Sequence, residues 1–175
     1  MSSEVITERS IRFVVDTMLG DIARWLRVLG YDTLYSRDFE DWKILKIAER
    51  DDRIIITRDV GLFRRALRRG LRVVLLDIAE VPKELAKIAL RTGIRLQVDF
   101  SRTRCPHCNS PLRKVTDVAE IAPYVPPTIR YKYKEFWFCD KCKKAYWVGN
   151  HWKTINKILE ESQQILAKMK KKSTK

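Results

Sequence analysis

From residue 11 onward, short continuous apolar runs alternate with stretches whose apolar positions recur every three or four residues. Ile11–Val15 (IRFVV), Asp32–Ser36 (DTLYS), Arg53–Thr57 (RIIIT) and Arg72–Leu76 (RVVLL) read as strands. Between them lie helices. Met18, Leu19, Ile22, Trp25, Leu26 and Leu29 share one face of the first, and Gly30 is its stop signal. The second runs from Asp41 to Arg50, with Ile44, Leu45, Ile47 and Ala48 apolar. The third, Leu62 to Arg69, is short and very basic and ends at Gly70. Pro82 starts a fourth that runs to Thr92, before Gly93. RLQVDF, residues 95–100, predicts a last short strand. Strands alternating with helices give an α/β domain with a mainly parallel sheet. The strands are continuously apolar rather than alternating, as strands covered on both faces are.

After Phe100 the pattern breaks. Residues 101–150 are turn-rich and aromatic, with APYVPP in their middle, and predict a small module of hairpins. Residues 151–175 return to helical spacing, through Trp152, Ile155, Ile158, Leu159, Ile165 or Leu166, and Met169. The tail KMKKKSTK reads as frayed and basic. The expected organisation is therefore 1–100, 101–150 and 151–175.

Composition adds three constraints. Apolar residues make up 45% of the 175, enough for a core. No apolar run reaches membrane-spanning length, and MSSEVITERS has no apolar secretory core, so a cytoplasmic protein without a membrane partner is expected. The net charge of +14 is uneven: residues 1–100 carry about +3, residues 101–175 about +11. High charge content alone is met in thermophile surfaces. The scarcity of acids after Phe100 is not, and it points to a polyanion such as RNA.

Most carboxylates sit in the first half. Asp16 closes the first strand, Asp59 the third and Asp77 the fourth, while Asp41 opens a helix. All four fall at the carboxyl edge of a parallel sheet, where ligands bind. Converging carboxylates repel unless a cation neutralises them, and hard oxygen donors suit Mg²⁺ or Mn²⁺. Such an ion activates water and clamps a phosphodiester. Taken singly, each aspartate is more commonly a helix cap or turn residue, and Asp38 with Asp41 suits a local turn. Arg24 on the first helix and Arg58 beside Asp59 are placed to touch phosphates; for the Arg64–Arg69 run, solvent exposure is at least as good an account.

Cys105, Cys108, Cys139 and Cys142 form two CxxC knuckles. In a reducing compartment this spacing points to structural zinc before disulfides. Four thiolates close a tetrahedral sphere and leave no open position for water, so the metal folds the module. A redox CxxC is the rival, and His107 or His151 is an alternative ligand. Trp137, Tyr146, Trp147 and Trp152 interleave with lysines that include Lys143 and Lys144. That mixture suits single-stranded or looped RNA, although a small module needs at least half of these rings for its own core.

DTMLGDIARWLRVLGYDT, IIITRD, RCPHCNSPL and FCDKCKKAYWVGNHW occur together and in this order. Together they resemble the Mut-seven C-terminal RNase domain family, from about Ile11 to about Leu159. The resemblance implies a PIN-like parallel sheet flanked by helices, then a zinc ribbon and a C-terminal helix. It implies a metal-dependent ribonuclease with catalytic Mg²⁺ or Mn²⁺ and structural zinc. Asp16, Asp41 and Asp59 match the acidic positions. Asp77 is a looser match, Asp38 is a substitute for Asp41, and the helix glutamate of ordinary PIN domains has no counterpart that can be placed. Arg24 and Arg27 lie in the ARWLR segment, and the resemblance implies that both contact RNA. Asn109 and the run holding Trp147, His151 and Trp152 are family features that pack the ribbon or touch RNA. The substrate class is RNA, with tRNA, rRNA and the ribosome all open. An RNA- or ribosome-binding protein with a degenerate PIN-like fold is the alternative, and an antitoxin-neutralised toxin a third. The oligomeric state is not set by the sequence.

Overall fold

The computed structural model describes residues 11–173. The polar segment 1–10 and the last two residues of the basic tail lie outside them. Four parallel strands, β1 (Arg12–Val15), β2 (Asp32–Tyr35), β3 (Ile54–Thr57) and β4 (Val73–Leu75), form a sheet in the order β2-β1-β3-β4. Three helices connect them in turn: α1 (Gly20–Val28), α2 (Asp41–Asp51) and α3 (Val60–Arg68). α4 (Val81–Thr92) follows β4.

Strand pleating sends successive side chains to opposite faces, and helices cover both. Phe13, Val15, Ile54 and Ile56 face Leu19, Ile22 and Leu26 of the α1 segment and Leu85 and Ile88 of α4. Val14 and Ile55 face Ile44, Leu45 and Ala48 of α2 and Leu62 and Ala66 of α3. Each large aliphatic chain so buried contributes about 1.5–3 kcal/mol. Met18, expected on the apolar face of α1, is exposed, because the helix begins only at Gly20.

Residues 95–100 are not a strand. Two of their backbone groups bond to side chains instead of a strand neighbour: Arg95 N donates to Tyr31 Oη at 2.9 Å, and Leu96 O accepts from Gln163 Nε2 at 2.7 Å.

Beyond them is a second, antiparallel sheet, β5-β6-β7, of Arg113–Lys114, Trp137–Cys139 and Lys144–Tyr146. The long insertion between β5 and β6 is helical rather than a hairpin. It holds a 3-10 segment, Val118–Tyr124, and a short helix, α5 (Pro127–Lys132). Asp117 starts the first by accepting from Ala119 N at 2.9 Å, and Pro127 occupies the first turn of the second. Val115, Ile121, Val125, Phe136 and Phe138 give this region a core of its own.

α6 (His151–Ser173) returns to the α/β layer and packs along α4, with Leu159 buried and Ile155, Ile158 and Leu166 against the core. It is helical through Ser173, so most of the tail expected to fray is ordered. No helix among the described residues is long and apolar enough to cross a membrane.

The two sheets are joined at β2, an edge strand whose outward backbone groups need partners. Thr33 N donates to Asn109 Oδ1 at 3.0 Å, and Thr33 O accepts from Arg27 Nε at 3.0 Å. Asn109 Nδ2 donates to Asp32 Oδ1 at 2.7 Å. Asn109 has φ 68°, a left-handed conformation that asparagine tolerates better than most residues. Asn109→Gly keeps that backbone and leaves Thr33 N–H buried without a partner. It is expected to lower stability by about 1–3 kcal/mol in denaturant unfolding, and Asn109→Ala by more, since alanine also resists positive φ.

Candidate active edge and cysteine centre

Asp16, immediately after β1, is 5% exposed. Its Oδ1 accepts from Thr17 N at 2.6 Å, and its Oδ2 accepts from Thr57 Oγ1 at 2.6 Å. Thr57 ends β3, and its hydroxyl oxygen in turn accepts from Asp59 N at 2.9 Å. Asp59 caps α3, with Oδ1 accepting from Leu62 N at 2.6 Å. One threonine hydroxyl therefore ties the loop after β1 to the loop after β3. The chain leaves β1 towards β2 on one side and reaches β3 on the other, so this is the topological switch point of the sheet, where ligands bind.

The loop after β1 is held by Tyr35, whose Oη donates to Thr17 O at 2.9 Å. A Cβ on Gly20 would lie 2.7 Å from that oxygen, so the glycine of the LGD run makes room for the tyrosine.

Asp41 opens α2 and forms an ion pair with Arg65 of α3. Arg65 also lies close to the Asp59 cap: a Cβ on Gly61 would sit 2.9 Å from Asp59 Oδ1 and 3.8 Å from Arg65 Nη1. Asp77 stands apart. It follows β4, two strands from β1, is 73% exposed and pairs with Lys87 at 2.8 Å. Lys87 holds its carboxyl below the usual range. Asp38 is exposed, its backbone N donating to Ser36 Oγ at 3.2 Å.

Arg58 is ion-paired with Glu84 of α4, its Nε donating to Glu84 Oε1 at 3.1 Å. Glu84 is 2% exposed and its Oε2 is buried without a partner. Sequence reasoning missed this glutamate because a carboxylate in a helix's first turn reads as solvated. Thr57 was legible in the T-x-D spacing but carried no role there.

Arg24 is exposed on α1. Arg27, expected to meet RNA, is instead 5% exposed. Besides Thr33 O, its guanidinium donates from Nη1 to Pro106 O at 2.9 Å and to His107 O at 3.1 Å. It is a bolt between α1 and the first knuckle, because the helix end it sits on is covered by that knuckle.

The four cysteine sulfurs lie within 4.8 Å of one another, Cys105 and Cys142 at 3.9 Å and Cys108 and Cys139 at 3.4 Å. Thiolates about 2.3 Å from a tetrahedral zinc stand about 3.8 Å apart, so the donor set fits that ion. Burial pushes Cys108 up, but hydrogen bonding from Ser110 and the neighbouring thiols brings it to about 6. Its hydrogen bond with Cys108, then burial, pushes Cys142 up to about 12. Crowded thiols do not ionise together without a cation. Cys139 to Lys143 closes the second knuckle as a turn, with Lys143 N donating to Cys139 O at 2.8 Å and Lys143 at φ 54°. Tyr146 Oη lies 3.2 Å from Cys105 Sγ, and burial followed by that sulfur raises its pKa.

Lys143, Lys144 and His151 are exposed, and Trp147 and Trp152 are half-buried. Of the four rings expected to share core and surface, Trp137 alone is fully buried and Tyr146 is also half-buried. Lys144 Nζ is 3.4 Å from His107 Nε2. Burial, Lys144 and then Arg24 and Arg27 push the His107 imidazole below its ordinary value.

Asp32 bears on how the halves stay joined. Burial raises its pKa, but hydrogen bonds from Arg53 and Asn109 outweigh this and hold it below the usual carboxylate range. A depressed folded-state pKa stabilises above the unfolded value, near 3.9, and that contribution is lost as pH falls through the folded value. The stability gap between the protein and Asp32→Asn is therefore expected to narrow between pH 5 and pH 3, followed by thermal unfolding.

The family model for the Mut7-C RNAse domain matches residues 11–159, which takes in the parallel sheet, the cysteine centre and the start of α6. Searches of the curated proteins and of the solved structures found no match.

Proposed function

The chain belongs to the Mut7-C RNase domain family, and from that footing we propose that it hydrolyses RNA phosphodiester bonds with a divalent ion, Mg²⁺ or Mn²⁺, held by Asp16 and Asp59. The observation that carries this is the Thr57 hydroxyl, which donates to the Asp16 carboxylate and accepts from the Asp59 backbone N–H at the switch point. Magnesium is commonly held by one or two carboxylates, its remaining positions filled by waters and phosphate oxygens, so two aspartates suit it. When bound, the ion supplies activated water and charge neutralisation. Thr57 and Thr17 fix the Asp16 carboxylate, as contacts behind a metal ligand do. Asp59 anchors the start of α3. Arg58, held by Glu84, and Arg24 on the exposed side of α1 meet phosphates beside the bond to be cut. Asp41 joins the site by leaving Arg65, which is then free to pair with phosphate.

The cysteine centre holds one structural zinc, and its basic surface, with Lys143 and Lys144, grips the RNA. Its thiols belong in a reducing compartment, the cytoplasm. RNA binding without cleavage is the rival, favoured by one observation: among the described residues, no group of three or more carboxylates is drawn together as the four cysteines are. Incubating structured and single-stranded RNA with the protein and Mg²⁺ or Mn²⁺ separates the two. Metal-dependent cleavage lost on chelation is expected. Tight, salt-sensitive binding with no cleavage would favour the rival.

A further inference from the structure

We propose that the cavity between the end of α1, the cysteine module and the start of α6 holds one unstacked nucleobase of a single-stranded RNA; this rests on RNA being the substrate. The cavity measures about 250 Å³ and its wall is almost wholly apolar. Pockets for drug-sized ligands run from roughly 300 to 1,000 Å³, so this one suits a single flat ring system. Phe100, Trp137, Trp147 and Trp152 line it, with His151 and Arg104.

The rings are already arranged. Phe100 stacks on Trp137 at 4.3 Å and 24°, and Trp152 lies 5.1 Å from Phe100. Trp147 is braced edge-on by Phe136 at 6.1 Å. Gly149 folds the segment between the two half-buried tryptophans: its N donates to Trp147 O and its O accepts from Trp152 N, both at 3.0 Å. A Cβ there would lie 2.9 Å from Trp147 Nε1 and 3.5 Å from His151 Cε1, so glycine is needed for these rings to close around the turn.

Charge selects the occupant. Pro106 lines the cavity, and the next residue, His107, neighbours Lys144 and feels Arg24. An apolar slot beside such a strip, in a half of the chain carrying about +11, suits a ring attached to a polyanion. Val28 of α1 lines the cavity, while Gly20 at the other end of α1 adjoins Asp16. Nine helical residues span about 13 Å. A strand anchored in the cavity runs along α1 past Arg24, so the held base lies a few nucleotides from the bond presented to Asp16.

The test uses the zinc-loaded full chain without Mg²⁺ or Mn²⁺, so that binding is read without cleavage. Tryptophan fluorescence follows titration with an oligoadenylate of about ten nucleotides and with an abasic ribose-phosphate strand of equal length. The base-bearing strand is expected to quench fluorescence and bind about tenfold more tightly. Trp152→Ala should bring that ratio to about one, and Trp152→Phe should restore most of it. Equal binding of both strands by the unmodified protein overturns the proposal. So does an undiminished ratio in Trp152→Ala. Cleavage with Mg²⁺ or Mn²⁺ is scored separately: cleavage without base discrimination sinks the cavity alone, and base discrimination without cleavage sinks the nuclease alone.

Discussion

Replacing Asp16 by Asn is expected to lower metal-dependent RNA cleavage by at least about 100-fold, the upper range for losing a contact that merely supports a metal ligand. The amide is nearly the same size, so the buried site does not collapse. Its Oδ1 can still accept from Thr17 N, and its Nδ2 can donate to Thr57 Oγ1, reversing the second of the bonds that hold the carboxylate now. What it lacks is charge. Asp59→Asn should act in the same direction with little loss of stability, because an asparagine oxygen can still cap α3 by accepting from Leu62 N. Asp77→Asn should change cleavage little: its carboxylate is exposed, paired with Lys87 and two strands from β1. The measurement is the rate of RNA cleavage at saturating Mn²⁺, with RNA affinity measured in parallel. Full cleavage by both Asp16→Asn and Asp59→Asn would overturn the assignment. A loss that higher Mn²⁺ partly restores would identify Asp16 as a ligand rather than a brace.

Thr57→Val separates bracing from ligation. It removes the hydroxyl between Asp16 and Asp59 and keeps the shape of a fully buried side chain. Asp16 keeps its charge but loses one of the contacts that aim it, so a smaller fall than that of Asp16→Asn follows.

The strands, α2, α4 and the cysteine pairs were legible because their signals are local. IRFVV and RIIIT are apolar throughout, Gly93 terminates α4 with φ 76°, and CxxC spacing needs no tertiary context. The aspartates were placed at the right edge by strand order alone. Their partners were not legible, since Arg65 reaches Asp41 across 24 residues and Glu84 reaches Arg58 across 26. Arg27 shows why charge at a helix surface misleads. Its helix position matches that of an exposed RNA contact, and only the knuckle 79 residues later makes it a buried bolt. Asn109 sits between these cases. The sequence marked it as a family feature, but its hold on the β2 edge depends on how the cysteine module docks.

Removing the zinc proposed for the cysteine centre is expected to unfold the cysteine module and to loosen its grip on the parallel sheet. Structural zinc contributes on the order of 10–16 kcal/mol of apparent binding free energy in small modules. The separate core here is one small cluster around Phe136 and Phe138. Without the ion, Cys108 ionises most readily while Cys139 and Cys142 resist ionisation, so the sulfurs lose the charge that holds them at one centre. The first knuckle also supplies the junction contacts: Pro106 and His107 carbonyls accept from Arg27, and Asn109 holds Thr33 and Asp32. Loss of the centre therefore reaches β2 and α1. Metal analysis should find about one zinc per chain, since four cysteines fill one tetrahedral sphere. A chelator, or Cys139→Ser, should expose Trp137 to solvent and red-shift tryptophan emission, with RNA affinity falling together with the shift. The parallel sheet has its own core on both faces and should keep most of its helical circular dichroism. A chain that keeps its emission spectrum and RNA affinity after complete zinc removal would show that the four thiols hold the module without a metal.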